Sequence, residues 1–272
     1  MPIARLDDRA VIAVTGPEAR PFLQGLITND IEKVAPERAI YAALLTPQGK
    51  ILFDFLIAEG DGALLIDCAR ASRDALAKRL SMYKLRAKVV IEPRDQLEVL
   101  AEWDADRAKY AITFDDPRLP ALGRRAIGAR GEMPGSVEDA AAYHARRLAL
   151  GVPEGADFGS DRMFALDADL DELHAVDFDK GCYVGQELTA RMKHRGTARK
   201  RLLAVETASG GDLPGRDTPV TAAGKDIGDI ASAHGARGFA QIRLDRLEEA
   251  GNAPIQAGDA AVKIRRPGWL FS

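Results

Sequence analysis

After Arg199 the chain breaks into short alternating runs, KRLLAVET, IGDIASA, GFAQIRL and AVKIRR, separated by the glycine turns SGGD, AAGKD and AGD. Alternation of this kind suits strands with one face on a core, and glycine supplies the backbone angles that tight connections need. Such a tail is expected to close as a small antiparallel barrel or sandwich, with a domain boundary near 196–200. Upstream, residues 8–15, 40–45, 51–59 and 63–68 read as strands, with Asp61-Gly62 as a hairpin turn. Residues 72–85 read as an amphipathic helix, followed by the strands KVVIE and LEVLAE. That order predicts an α+β layer, a helix on a mostly antiparallel sheet.

A first helix begins at Thr15-Gly16-Pro17, carries Ala19, Phe22, Leu23 and Leu26 on one stripe, and stops at Thr28-Asn29-Asp30. The SVED sequence at 136–139 predicts a capping-box start, and Gly151 and Pro153 end the helix it opens. Residues 154–179 lack periodicity; a 26-residue stretch of this kind is expected to be functional or to pack as an irregular cover.

At 272 residues the chain has room for two or three domains. Lys and Arg number 38 against 41 Asp and Glu, a net charge of −3, so no basic footprint covers the whole surface. The two cysteines, Cys68 and Cys182, exclude a disulfide scaffold and a self-contained four-thiolate site. The N-terminus has no long apolar region and no segment is apolar enough to span a bilayer, so a cytoplasmic protein with no membrane partner is expected.

The least ordinary segment is DKGCYVGQELTARMKHRG at 179–196. Gly181 and Gly185 bracket Cys182 and Tyr183, and Gln186 and Glu187 open a helix. One reading is a tight turn, a buried thiol and a well-capped helix. The other puts Cys182 beside Lys180 at a helix start, where thiolate is favoured and the sulfur is reactive or metal-binding. Cys68 ends an apolar strand and reads as core. The histidines show no metal-ligand spacing, and Asp54, set inside ILFDFLI, has to be paired or face a cavity.

KGCYVGQE, followed by LTAR and HRG, resembles the signature of the YgfZ family of folate-binding proteins, relatives of the T-protein (aminomethyltransferase) of the glycine cleavage system. FLQGLITND (22–30), LLTPQGKILFDFLI (44–57) and RRLALGVPE (146–154) agree in order with three further family segments. The resemblance implies a T-protein-like cloverleaf of three domains around a central opening. Residues 1–45 with 127–195 would form a discontinuous folate-binding domain, 46–126 an inserted ferredoxin-like α+β layer, and 196–272 the barrel. It also implies tetrahydrofolate as cofactor and a role in assembly or repair of iron–sulfur clusters, with carrier or client proteins as partners.

The residues placed at the opening are Thr28, Asn29, Asp30, Asp54, Lys180, Gly181, Tyr183, Gly185, Gln186, Glu187, Arg191 and Arg195. The resemblance implies Cys182 as the functional thiol; one thiolate cannot hold a cluster that takes about four ligands, so it would share one with a partner or small thiols, or act as a redox-sensing thiol. The expectation underlying the set is that Cys182 and Asp54 look into one pterin-sized cavity. Two departures weigh against aminomethyl transfer. Phe53 stands where T-proteins have the first of two aspartates, and Ala149 where they have the glutamate of R-x-E-x-G. A folate-dependent one-carbon transferase, acting on an amine or on tRNA, is the alternative; its RNA contact would be the basic run from Lys193 to Arg201.

Overall fold

Strands Ile40–Leu45, Ile51–Gly60 and Ala63–Ala69 are long unbroken apolar runs because the sheet they form is covered on both faces. Tyr41, Ala43 and Leu45 point into the larger core, while Ile40, Ala42 and Leu44 point into a second one. The computed structural model describes residues 3–104, 110–132, 138–196 and 199–270, and of Arg195 the backbone alone. Arg9–Thr15 and Val90–Pro93 complete this five-stranded sheet, whose order along its width is 40–45, 51–60, 63–69, 9–15, 90–93. The second core lies under the helices Ala19–Gln24 and Arg73–Lys84.

A four-stranded antiparallel sheet, Ile3–Arg5, Leu97–Glu102, Arg124–Ala129 and Ile112–Asp115, closes the larger core from the other side. The expected cut at 45/46 falls inside a hairpin, since Ala43 pairs with Asp54. Residues 46–126 contribute to both sheets and pair with N-terminal strands in each: Ile3 with Glu102, Ala10 with Cys68. The reason is the hydrogen-bond ladder, which must continue past 45 to satisfy the backbone of Ile40–Leu45.

Residues Lys200–Thr207, Arg237–Arg243, Lys225–His234, Pro219–Ala222, Ile255–Ala257 and Ala260–Arg265 form a closed six-stranded barrel around Leu203, Val205, Val220, Ile230, Ala240 and Ile242. The mixed α+β class and the terminal barrel are those expected. The short strands at 219–222 and 255–257 and the helix Leu244–Ala250 escaped the sequence reading. The helix Ala140–Leu150 is capped by Asp139, whose carboxylate accepts from Ala141 and Ala142; Ser136, where the sequence placed the start, lies outside the described residues. The stretch 154–179 packs as a cover, burying Ala165, Leu166, Ala168, Leu170, Leu173 and Ala175 over the larger core.

Candidate functional site

Gly185 brings the Cys182 loop onto the rest of the protein. Its φ of +82° suits glycine, and a Cβ there would stand 2.5 Å from the Thr46 carbonyl oxygen and 2.9 Å from Leu45 Cβ. Gly49, also at +82°, packs against the same glycine, so the TPQGK turn and the KGCYVGQE loop fit together through two side chains that are absent. The helix Gln186–Arg195 starts immediately after.

Lys180 ties the other end of the loop down. Its Nζ donates to the carbonyls of Gln24, Ile27 and Asn29 at 2.7–2.8 Å and sits 5.1 Å from the centre of the Tyr183 ring. Burial pulls this ammonium down to about 8, because carbonyls replace water without replacing its full solvation. The Asp177 carboxylate accepts the backbone N–H of Asp179 and Lys180 and pairs with Lys33 at 2.7 Å. Tyr183 is buried in the larger core, which pushes its hydroxyl up to about 12. Its backbone N–H donates to Gln186 Oε1 at 3.3 Å. Between these anchors Gly181 and Cys182 are exposed. Cys68, by contrast, is buried, and desolvation pushes its thiol up to about 12, in keeping with a core role.

The turn that Lys180 grips uses its own polar groups internally. Thr28 Oγ1 donates to the Ala175 carbonyl at 2.6 Å and accepts from Ala43 N–H at 2.8 Å. Asn29 Nδ2 donates to the carbonyls of Tyr41 and His174, both at 2.8 Å. Asp30 accepts from Gln24 Nε2 and from Glu32 N–H. Thr28, Asn29, Asp30 and Lys180 are thus brought together as expected, but as a clamp between the first helix, the cover and the cysteine loop. Glu187 and Arg191 pair with each other on the exposed face of the helix at 2.9 Å. The side chain of Arg195 lies outside the described residues.

Asp54 goes elsewhere. It is 6% exposed, accepts from Tyr41 Oη at 2.9 Å, and is overlaid by Gly155, where a Cβ would stand 2.6 Å from its Oδ1. Burial pushes its carboxyl up. The acid is therefore inside and the thiol outside; the expected shared opening is replaced at Asp54 by packed polar side chains. A pterin edge wants amide and carboxylate partners with free valences. Here Thr28, Asn29, Asp30 and Lys180 are hydrogen-bonded within the chain, and Asp54 accepts from Tyr41.

What surrounds Asp54 is a buried ion lattice that sequence reasoning missed. Arg9 pairs with Asp67 at 2.7 Å, and Arg125 reaches Asp67 at 2.9 Å and Asp116 at 3.4 Å. Arg118 holds Asp116 at 2.7 Å and Glu154 at 3.6 Å, and Arg147 holds Glu154 at 3.3 Å and Asp157 at 2.6 Å. Asp157 then accepts from Ser232 at 2.6 Å and meets His234 at 2.9 Å, both on the barrel. The chain of charges crosses both sheets, the helix at 140–150, the cover and the barrel. Burial opposes ionisation of Glu154, but Arg147, Arg9 and Arg118 overcome it and hold its carboxyl well below the usual range. Arg118 and Arg125 hold Asp116 low, and Arg147 does the same for Asp157. Ligand atoms of Asp8, His144 and Glu154 lie within 4.8 Å of one another. The imidazole bridges the two carboxylates at 2.9 and 3.4 Å, and the three arginines make this a poor seat for a cation. Spacing in the sequence gives no sign of this lattice; the paired arginines of RRAIGA and RRLAL were the one available signal.

The basic run from 193 to 201 is divided in the structure. Lys193 sits 5.0 Å from the Phe178 ring centre and 3.6 Å from Asp171, while Arg201 is buried against Asp169 and Asp171. Among the described residues of the run, no continuous cationic stripe for RNA results.

The model of the CAF17 C-terminal β-barrel domain matches residues 199–272. Aminomethyltransferase T of the glycine cleavage system from Bartonella henselae has the same fold, with a TM-score of 0.75 over 98% of this chain and 86% of that one; at 14% identity this is a likeness of fold alone. The mitochondrial iron–sulfur cluster assembly factor IBA57 of Mus musculus is 35% identical, covering 97% of this chain and 84% of its own length. The Homo sapiens protein of the same name is 35% identical, covering 94% and 81%. These mitochondrial relatives overturn the expectation of a cytoplasmic protein. Unpaired cysteines indicate a reducing compartment without saying which. With more than a third of its residues identical to theirs across nearly its whole length, the chain belongs to the family of IBA57 iron–sulfur cluster assembly factors.

Proposed function

We propose that the chain assists assembly or repair of iron–sulfur clusters in partner proteins, with Cys182 as a transient cluster ligand and its loop of the YgfZ type. The observation that supports this is the contrast within one segment: Lys180, Tyr183 and Gly185 are fixed, and the thiol between them is exposed. A fixed backbone presents the sulfur at low entropic cost to a second protein. Because a cluster takes about four ligands and Cys68 is buried, the other ligands come from a carrier, a client or small thiols. Tetrahydrofolate has no step in this proposal; Thr28, Asn29 and Lys180, three of the residues expected to line its site, are hydrogen-bonded within the chain.

The test is anaerobic cluster transfer from an iron–sulfur carrier to an apo-client, with wild type and Cys182→Ala compared. Loss of transfer in the variant, with an unchanged melting temperature, is the expected result. Equal transfer by both proteins removes Cys182 from the function. Turnover of a one-carbon donor with tetrahydrofolate, retained in Cys182→Ala, would favour the transferase instead.

A further inference from the structure

The helix Arg73–Lys84 and the loop after it carry Lys78, Arg79, Lys84, Arg86 and Lys88 within eleven residues that contain no acid. None of the five forms an ion pair with another described residue. Taking them from the net charge of −3 leaves the rest of the chain at −8, so the positive charge here is a local feature. The buried side of the helix is Leu76 and Leu80, packed on the second core. On the opposite side Lys78 and Met82 stand at i and i+4, and Leu85 projects from the turn just past the helix end.

Two of these are among the most exposed apolar side chains of the protein: Met82 is 62% and Leu85 89% exposed, and Val90 on the neighbouring edge strand joins them at 47%. Leu85 has φ +45°, a conformation a leucine adopts at a cost, and it packs on nothing that would offset it. The loop holding it is nevertheless braced. Ala87 N–H donates to the Lys84 carbonyl, Lys88 N–H to the Glu18 carboxylate, and Val89 is buried. Gly16 lies so close below that a Cβ there would stand 2.3 Å from the Lys88 carbonyl oxygen. The acidic side chains nearby are already engaged: Asp74 and Asp95 with Arg73, Glu92 with Arg94.

We infer that this face is a docking surface for an anionic lipid bilayer, with Met82, Leu85 and Val90 entering the headgroup region and the five cations facing lipid phosphates. A protruding apolar tip inside a ring of cations suits a soft surface that it can enter, whereas a protein partner would have to offer a matching pocket. That no helix among the described residues is long and apolar enough to cross a membrane bears on crossing a bilayer and not on lying against one. This surface is made by the helix at 73–84 and the strand at 90–93, and involves none of the residues of the cysteine loop.

The experiment is co-sedimentation of the full chain with vesicles of phosphatidylcholine alone and of phosphatidylcholine mixed with phosphatidylglycerol. Binding is expected to the mixed vesicles only, and to weaken at high salt. Replacing Lys84, Arg86 and Lys88 together by Gln is expected to lower the affinity about a hundredfold, at roughly fivefold per basic residue. The pair Met82→Ser with Leu85→Ser is expected to lower it about tenfold, through loss of the inserting side chains. All five positions point to solvent or stand in the loop, so circular dichroism and melting temperature should match wild type. No binding to the mixed vesicles overturns the inference, as does binding that neither variant reduces. Retention of an RNA hairpin that the triple variant abolishes, without vesicle binding, overturns it in favour of nucleic acid.

Discussion

The middle of the molecule and the Cys182 loop are both fixed by polar contacts, but they handle charge in opposite ways. In the middle, Arg9, Arg118, Arg125 and Arg147 are buried against Asp67, Asp116, Glu154 and Asp157, each cation bridging to the next acid. At the loop the buried cation Lys180 grips three carbonyls, with the carboxylates of Asp30 and Asp177 acting on it only through space. The lattice joins two sheets, a helix, a cover and a barrel through pairs made within the chain. The loop has fixed ends and one exposed sulfur between them. Pairing every charge secures an arrangement, whereas pairing only the flanks leaves a group available for a partner.

The largest expected effect lies in the lattice. Arg125→Met would leave Asp67 and Asp116 without a shared cation and cost about 3–5 kcal/mol of stability, seen as a lower urea midpoint. If the cost is under about 1 kcal/mol, as for an exposed pair, the lattice does not hold the molecule together as described.

Acid should act on the same residues next. Glu154, Asp116 and Asp157 all have folded-state values below their unfolded ones. Their contribution is therefore complete above the unfolded carboxylate range and is lost as pH falls through the depressed values. Stability should fall steeply below about pH 4 with net proton uptake on unfolding, and Glu154→Gln should flatten that slope. An unchanged slope in the variant would break the comparison at its acidic partner.

At the loop the effects are smaller in stability and larger in function. Lys180→Met leaves three carbonyls without their donor and is expected to cost about 2 kcal/mol and to expose the loop to proteolysis. Gly185→Ala should cost about 1–3 kcal/mol, through its φ and the contact with Thr46. Both variants should slow cluster transfer even where they fold, because the thiol is no longer held in place. Cys182→Ala is expected to change stability by no more than about 0.5 kcal/mol, as for other exposed positions, while abolishing transfer. A large loss of stability there would mean that the sulfur belongs to the packing.

Much of the architecture was legible in the chain because it rests on local pattern. Alternating runs with glycine turns announced the barrel, and IYAALL and ILFDFLI announced strands. The clustering of Thr28–Asp30 with KGCYVGQE was also legible, through motif order. The role of those residues was not: a polar side chain looks the same in sequence whether it waits for a ligand or bonds a carbonyl more than a hundred residues away, as Thr28 does with Ala175. The boundary at 45/46 failed for a related reason, since strand pairing across it depends on which chain segment reaches the sheet edge.

By itself the sequence determined the elements, the terminal barrel, the presence of a glycine-framed cysteine and the kinship that these motifs carry. All of these depend on neighbours a few residues apart. Only the tertiary structure decided that Cys182 faces outward, that Asp54 faces inward, and that arginines from four segments form one buried lattice. Those outcomes turn on which distant group supplies the compensating charge or hydrogen bond, and burial energies are set by that partner and not by the residue alone.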